Sequence, residues 1–110
     1  MEDVNNMAFS DLINLTNEIA NNFFIAKRLH DIKNEDSLAE SAFDEDYPYD
    51  QYLLKVKRAY DSLTVNEQNL INNEFFYQSY HQWWRPIYSK ATFYRHKKEA
   101  MKKFIGAFYE

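Results

Sequence analysis

The sequence predicts an all-α fold, a compact bundle of four to five helices in a single domain over residues 1–110. Hydrophobic residues make up 45% of the chain and aromatic residues 18%, which is enough apolar surface for a packed core at this length. With one glycine and two prolines, the chain lacks the turn residues that a β-sandwich or barrel needs about every 8–12 positions. Long stretches with apolar residues three or four positions apart favour helices instead.

Residues 1–33 are predicted to form one long amphipathic helix, capped by Asn6 or Ser10 and ending near Lys33. We expect its apolar stripe to pack against the rest of the chain. A homodimer through residues 9–29 is the alternative, because the stripe is long enough to pair with a second copy of itself. The stripe consists of Phe9, Leu12, Leu15, Ile19, Phe23, Ala26 and Leu29.

Residues 34–48 are rich in Asp and Glu and are predicted to be a solvated acidic connector. Pro48 is expected to end any short helix that forms over residues 37–43, because proline cannot continue a helix from its preceding turn. The carboxylates of this stretch lack the spacing and the central glycine of a calcium loop. The sequence therefore predicts no metal site here.

Residues 49–110 are predicted to be a helical region of several elements. Helical periodicity returns over residues 49–63, with a common side formed by Tyr52, Leu53, Val56, Ala59, Tyr60 and Leu63. Thr64 and Glu67 then have the spacing of a capping box, which predicts a helix from Val65 to about Tyr77. This helix is expected to bury Leu70, Ile71 and either Phe75 or Phe76.

The segment from Ser79 to Tyr88 is unusual for its neighbouring Trp83 and Trp84, followed by Pro86. The proline disfavours a continuous helix, so the sequence predicts at most a short helix over residues 79–84. We expect the two tryptophans to pack in the core. Stacking on nucleic-acid bases is the alternative interpretation.

Ser89 is the expected N-cap of the last helix, predicted over residues 90–108 with an apolar side made by Phe93, Ala100, Met101, Phe104 and Phe108. Charge is divided unevenly along the chain. Residues 1–84 hold 6 Lys or Arg and 15 Asp or Glu, whereas residues 85–103 hold 7 Lys or Arg and one Glu. This division predicts an acidic body with one basic face. The alternative is that the acidic and basic residues neutralise each other inside the molecule.

The stretch from Leu63 to Phe104 resembles the helix-turn-helix of the promoter-reading C-terminal region of bacterial sigma factors and of related phage and autolysin transcriptional regulators. The resemblance implies a C-terminal helix-turn-helix over residues 64–108, with the last helix as the recognition helix. Where the family has a middle helix followed by glycine, this chain has bulky aromatic residues and Pro86. The whole chain also resembles a family of small uncharacterised proteins from mycoplasma-like bacteria. The matching motifs are Leu63-Thr64-Val65-Asn66-Glu67, Tyr88-Ser89-Lys90-Ala91-Thr92-Phe93-Tyr94-Arg95 and Ala100-Met101-Lys102-Lys103-Phe104.

A recognition helix needs small or polar residues on the exposed side of its first two turns and basic residues beside them. Arg95 is the best candidate for a contact to guanine, and the lysines are expected to bind phosphates. About five phosphate contacts predict a salt slope of roughly −4 to −5. The candidate nucleic-acid-binding residues are Lys90, Ala91, Thr92, Tyr94, Arg95, Lys98 and Lys102.

These features predict a DNA-binding transcriptional regulator or a sigma-like accessory factor. Its expected partners are duplex DNA and RNA polymerase or another protein. Two alternatives stay open: a non-catalytic protein-interaction adaptor, whose basic face binds an acidic protein surface, and an RNA-binding module whose tyrosines and tryptophans stack on unpaired bases.

The sequence predicts no enzyme, no cofactor and no metal site. It has no cysteine, no nucleophile with an adjacent base stands out, and His81 and His96 lack a third ligand at a suitable spacing. No apolar run approaches the roughly 18–20 residues that span a bilayer, and the first residues are acidic. We therefore expect a cytoplasmic protein with no membrane partner.

Overall fold

The computed structural model describes residues 4–35 and 48–110, with side chains over 4–32 and 48–110. These residues contain four α-helices and no β-strand, which confirms the predicted all-α fold. A 3₁₀ turn at Val4–Asn6 precedes the first helix, and a π-helical turn at Asn72–Phe76 continues the third. The helices are α1 (Phe9–Glu35), α2 (Pro48–Asp61), α3 (Val65–Ile71) and α4 (Lys90–Phe108).

Helix α1 has 27 residues and is therefore roughly 40 Å long at the ordinary helical rise. The Leu12 amide donates to the Ala8 carbonyl at 3.0 Å, which places Ala8 directly before the first turn. Neither Asn6 nor Ser10 occupies the N-cap position, so that prediction was wrong. The C-terminal end lies two residues beyond the expected Lys33.

The buried side of α1 follows the predicted stripe over most of its length. Leu12, Ile19 and Ala26 are buried against the other helices, so these residues are not available for a homodimer through 9–29. Leu29, predicted on the same stripe, is instead 43% exposed. The reason is the helical period: the next buried position after Ala26 is His30, one full turn on.

His30 ties α1 to the start of α2. Its Nδ1 lies 2.8 Å from Oδ1 of Asp50, and both side chains are buried. Pro48 is the first residue of α2, where its fixed φ suits a helix start and its missing amide proton has no consequence. Most of the predicted connector 34–48, including the short helix over 37–43, lies outside the described residues.

Helix α2 buries Leu53, Val56 and Ala59, as the periodicity predicted. Tyr52 is half-buried, and its hydroxyl donates to the Ile19 carbonyl at 3.1 Å. Burial raises the pKa of Tyr52 to about 12, because the tyrosinate form would lose its hydration.

The predicted capping box at the start of α3 is confirmed. The Glu67 amide donates to the Thr64 hydroxyl at 3.3 Å, and the Thr64 amide donates to Oε1 of Glu67 at 2.9 Å. After Ile71 the helix widens by one π turn, in which the Tyr77 amide donates to the Asn72 carbonyl at 2.8 Å. The helical stretch thus ends within a residue of the predicted position.

Between this turn and α4 the chain follows successive tight turns rather than a helix. The Trp83, Arg85 and Ile87 amides each donate to the carbonyl three residues earlier. Gln82 has a φ of 57°, a left-handed conformation that regular helix excludes. The short helix over 79–84 is absent, so the middle helix implied by the resemblance does not form and the helix-turn-helix is not confirmed.

Helix α4 packs against α1, α2 and α3 and is the centre of the core. Trp84 is 8% exposed and stacks on Phe93 with ring centroids 4.5 Å apart, which confirms its predicted place in the core. Trp83 is half-buried, and its indole nitrogen donates to Glu74 at 2.8 Å. The five apolar residues predicted for the buried side of α4 are all buried, together with Ile105.

Candidate nucleic-acid interface

The start of α4 is fixed by the predicted N-cap. The Ser89 hydroxyl accepts from the Thr92 amide at 3.3 Å, while the Ser89 backbone is extended. The same hydroxyl donates to the Thr92 hydroxyl at 2.9 Å. Thr92 was predicted to meet a base edge, but its half-buried side chain is already engaged by this cap.

We define the basic face as Lys90, Ala91, Arg95 and Lys98, four exposed residues in the first half of α4. Residues 91, 95 and 98 are spaced by four and three, so they lie along one side of the helix. Among the described residues, Lys90, Arg95 and Lys98 make no ion pair. The sequence predicted all four as contacts, and the structure brings them together on solvent-exposed surface.

Lys97 and Lys103, which follow closely on the same helix, are each ion-paired to a carboxylate of the same chain. Lys97 is mostly buried and lies 2.7 Å from Glu74, whose other oxygen accepts from Trp83. Lys103 lies 2.7 Å from Glu67. The internal neutralisation left open by the sequence is therefore realised for these two lysines.

Two further predicted contact residues are also largely occupied. The side chain of Lys102 is only 16% exposed and lies 3.8 Å from Glu99, so its prediction as a phosphate contact does not fit its position. Tyr94 is 41% exposed, but its ring packs edge-on against Phe9 at 5.9 Å and near Trp84 at 6.2 Å. Tyr94 therefore holds the start of α1 against α4.

The ion pair between Glu67 and Lys103 shifts the pKa values of both groups in the direction that favours their charged forms. Burial by itself would raise the pKa of Glu67. The hydrogen bonds from Lys103 and from the Thr64 amide outweigh this effect, so the pKa of Glu67 lies below the usual 4.5. The hydrogen bond to Glu67 raises the pKa of Lys103. Both groups stay charged and offset one another near neutral pH.

Sequence reasoning missed two pockets that both include Tyr80 in their walls, one of which is also lined by Phe93 and Tyr94 of α4. One has a volume of about 260 Å³ and the other about 320 Å³, and both are lined by Asn73, Ser79 and Tyr80. Tyr80 is 71% exposed. The only sequence signal is the number of amide and aromatic side chains in this stretch, which predicts no pocket by itself.

A larger pocket of about 490 Å³ lies between α1, α2 and the π turn, lined by residues that include Phe23, Val56 and Tyr77. It adjoins exposed apolar residues, since the Tyr77 ring lies 6.5 Å from that of Phe24. Over the described ranges, no group of three His, Cys, Asp or Glu side chains has a geometry suited to a metal ion. None of the helices in those ranges has both the length and the apolar character needed to cross a bilayer.

Comparison with protein-family models, curated proteins and solved structures finds no match to this chain. The resemblance to sigma-factor and phage regulators, and to the proteins of mycoplasma-like bacteria, thus depends on the sequence motifs alone and stays a prediction. Any assignment of function must start from the arrangement of charge on α4 and the surfaces beside it.

Proposed function

We propose that the protein binds duplex DNA through the basic face of α4, as a transcriptional regulator or a sigma-like accessory factor. One observation supports this most: Lys90, Arg95 and Lys98 are exposed and unpaired among the described residues, while Lys97 and Lys103 of the same helix are neutralised. A phosphate backbone is the natural ligand for such a row of cations, because binding releases its condensed counterions.

The small Ala91 side chain supports close approach of the helix to a groove. It is exposed between Lys90 and Arg95, where a larger residue would keep the backbone away from base edges. The acidic excess of residues 1–84, which hold 15 Asp or Glu and 6 Lys or Arg, favours docking through α4, since the net negative charge of this part repels a polyanion. Without a middle helix, the angle of α4 is set by aromatic packing at Trp84 and Phe93.

A salt titration tests this proposal. The affinity for a blunt duplex, measured by fluorescence anisotropy between about 50 and 200 mM salt, should fall with a slope of about −2.7 for three phosphate contacts. This value is smaller than the slope expected from the sequence, because fewer cations reach solvent unpaired. An acidic protein of similar size serves as the control. Absence of binding, or binding that salt does not weaken, would contradict the proposal.

A protein-interaction adaptor is the second candidate, and an apolar surface on the second half of α1 favours it. Ile25, Leu29 and Ile32 are each more than two-fifths exposed and lie on one side of the helix. Isolated apolar residues are common on surfaces, whereas a row of three is more typical of a protein contact. If Ile25→Asp and Leu29→Asp together abolish capture of RNA polymerase subunits and leave duplex binding unchanged, this second function stands beside the first.

A further inference from the structure

We infer that the cleft around Tyr80 holds one unpaired nucleotide base, so that the preferred ligand is a duplex that adjoins a single-stranded stretch. The inference rests on the proposed function, because the duplex contact on α4 brings the strand to the cleft. The observation behind it is independent: a highly exposed tyrosine lines two small pockets that have amide side chains in their walls. One of these pockets reaches α4 at Phe93 and Tyr94, and Tyr94 directly precedes Arg95 of the basic face.

The exposed ring of Tyr80 suits base stacking. It is 71% exposed although it lies beside a cluster of packed aromatics, and among the described residues it makes no ring contact. Because this exposed ring makes no such contact, a base that binds it breaks few existing contacts. Any base can stack on the ring through its π face. Trp84, Phe93 and Tyr94 line the first pocket together with Tyr80, and Trp83 and Tyr88 line the second.

The polar walls of both pockets offer hydrogen bonds to base edges. Asn73, Gln78 and Gln82 line the first pocket, and Asn66 and Asn69 line the second with Asn73. Carboxamide groups both donate and accept, which matches the mixed edges of nucleobases. The pocket volumes, about 260 and 320 Å³, lie just below and just above the lower limit of about 300 Å³ for small-ligand sites, and they fit one ring system better than a long ligand.

Charge at the cleft also suits a nucleotide. The one carboxylate in the wall of the first pocket, Glu74, is ion-paired to Lys97 and accepts from Trp83, so its charge is offset. Arg85 and His81 are exposed on the same turn segment as Tyr80. Gln82 holds the left-handed backbone that lets this segment turn at the cleft, a strained conformation of the kind that collects at binding sites.

The test compares two DNA probes: a blunt duplex, and the same duplex with a single-stranded overhang that carries 2-aminopurine. The wild-type protein should bind the overhang probe about fivefold or more tightly than the blunt one, and should quench the 2-aminopurine fluorescence by stacking. Tyr80→Ala should remove both the preference and the quenching. Tyr80→Phe should keep both, since it retains the stacking ring.

Tyr77→Ala is the matched control. Tyr77 is 68% exposed, but it lines neither pocket and contacts Phe24 instead, so its removal should leave the preference intact. Equal affinity of the wild type for both probes would overturn the inference and leave the proposed function standing. If Tyr80→Ala loses the same affinity for both probes, this result would also overturn the inference. If the wild type binds neither probe, the proposed function fails and the inference fails with it.

Discussion

The two sets of cations on α4 differ in what surrounds them, although they share one helix. Lys90, Arg95 and Lys98 face solvent without an ion pair in the described part of the chain, whereas Lys97 and Lys103 are held by carboxylates from the α3 region. A count of positive charge in the sequence treats all of them as one surface. The comparison teaches that a basic stretch becomes a binding face only where the fold leaves its charges uncompensated.

The largest expected effect concerns the packing that holds the start of α4 in place. Trp84→Ala should lower the free energy of unfolding by about 3–5 kcal/mol, because it removes a buried ring stacked on Phe93. Thermal and denaturant unfolding measure this loss. An unchanged free energy of unfolding would mean that the stacking of Trp84 on Phe93 does not position the basic face. The solvent exposure of the basic face would then have another cause.

The comparison becomes sharper with two adjacent lysines. Lys97→Ala should cost about 2–3 kcal/mol of stability, since it leaves the mostly buried Glu74 without its cation. Lys98→Ala, the matched control one position along, should stay within about 0.5 kcal/mol of the wild type. For DNA binding we expect the reverse order. With both variants folded, Lys98→Ala should lower the affinity for duplex DNA more than Lys97→Ala does. Similar stabilities for the two variants would break the distinction between paired and unpaired lysines.

A smaller effect concerns pH and the pair of Glu67 with Lys103. The folded-state pKa of Glu67 lies below 4.5, so its ionised form contributes stability above that value, and the contribution is lost as pH falls through the folded pKa. Glu67→Gln should therefore weaken the dependence of stability on pH between about pH 5 and pH 3. Denaturant midpoints at several pH values give the measurement. The control is Glu99→Gln, at a carboxylate that is more exposed and less closely paired. It should change the pH dependence of stability little.

Local signals predicted much of the fold. The capping box at Thr64 and Glu67 and the N-cap at Ser89 involve residues three positions apart, so the sequence contains the whole interaction. The buried sides of α2 and α4 followed from helical periodicity for the same reason. The first turn of α1 escaped prediction because Ala8, at its start, carries no capping side chain.

Long-range pairings could not be predicted in this way. The contact of His30 with Asp50 spans 20 positions, and that of Lys97 with Glu74 spans 23, so neither follows from spacing along one helix. For the candidate site, the sequence correctly placed Lys90, Ala91, Arg95 and Lys98 on exposed surface. It could not anticipate the left-handed Gln82, which replaces a middle helix by turns, or the pockets that these turns create beside Tyr80.

The most direct test of the account removes the basic face and compares it with an equal loss of charge elsewhere. The triple variant Lys90→Ala, Arg95→Ala, Lys98→Ala should bind blunt duplex about tenfold or more weakly than the wild type, with a salt slope near zero. A control variant changes Lys27, Arg28 and Arg58, which are exposed on α1 and α2, to alanine and should retain the wild-type affinity and slope. If both variants lose the same affinity, net charge alone governs binding and the basic face has no special role.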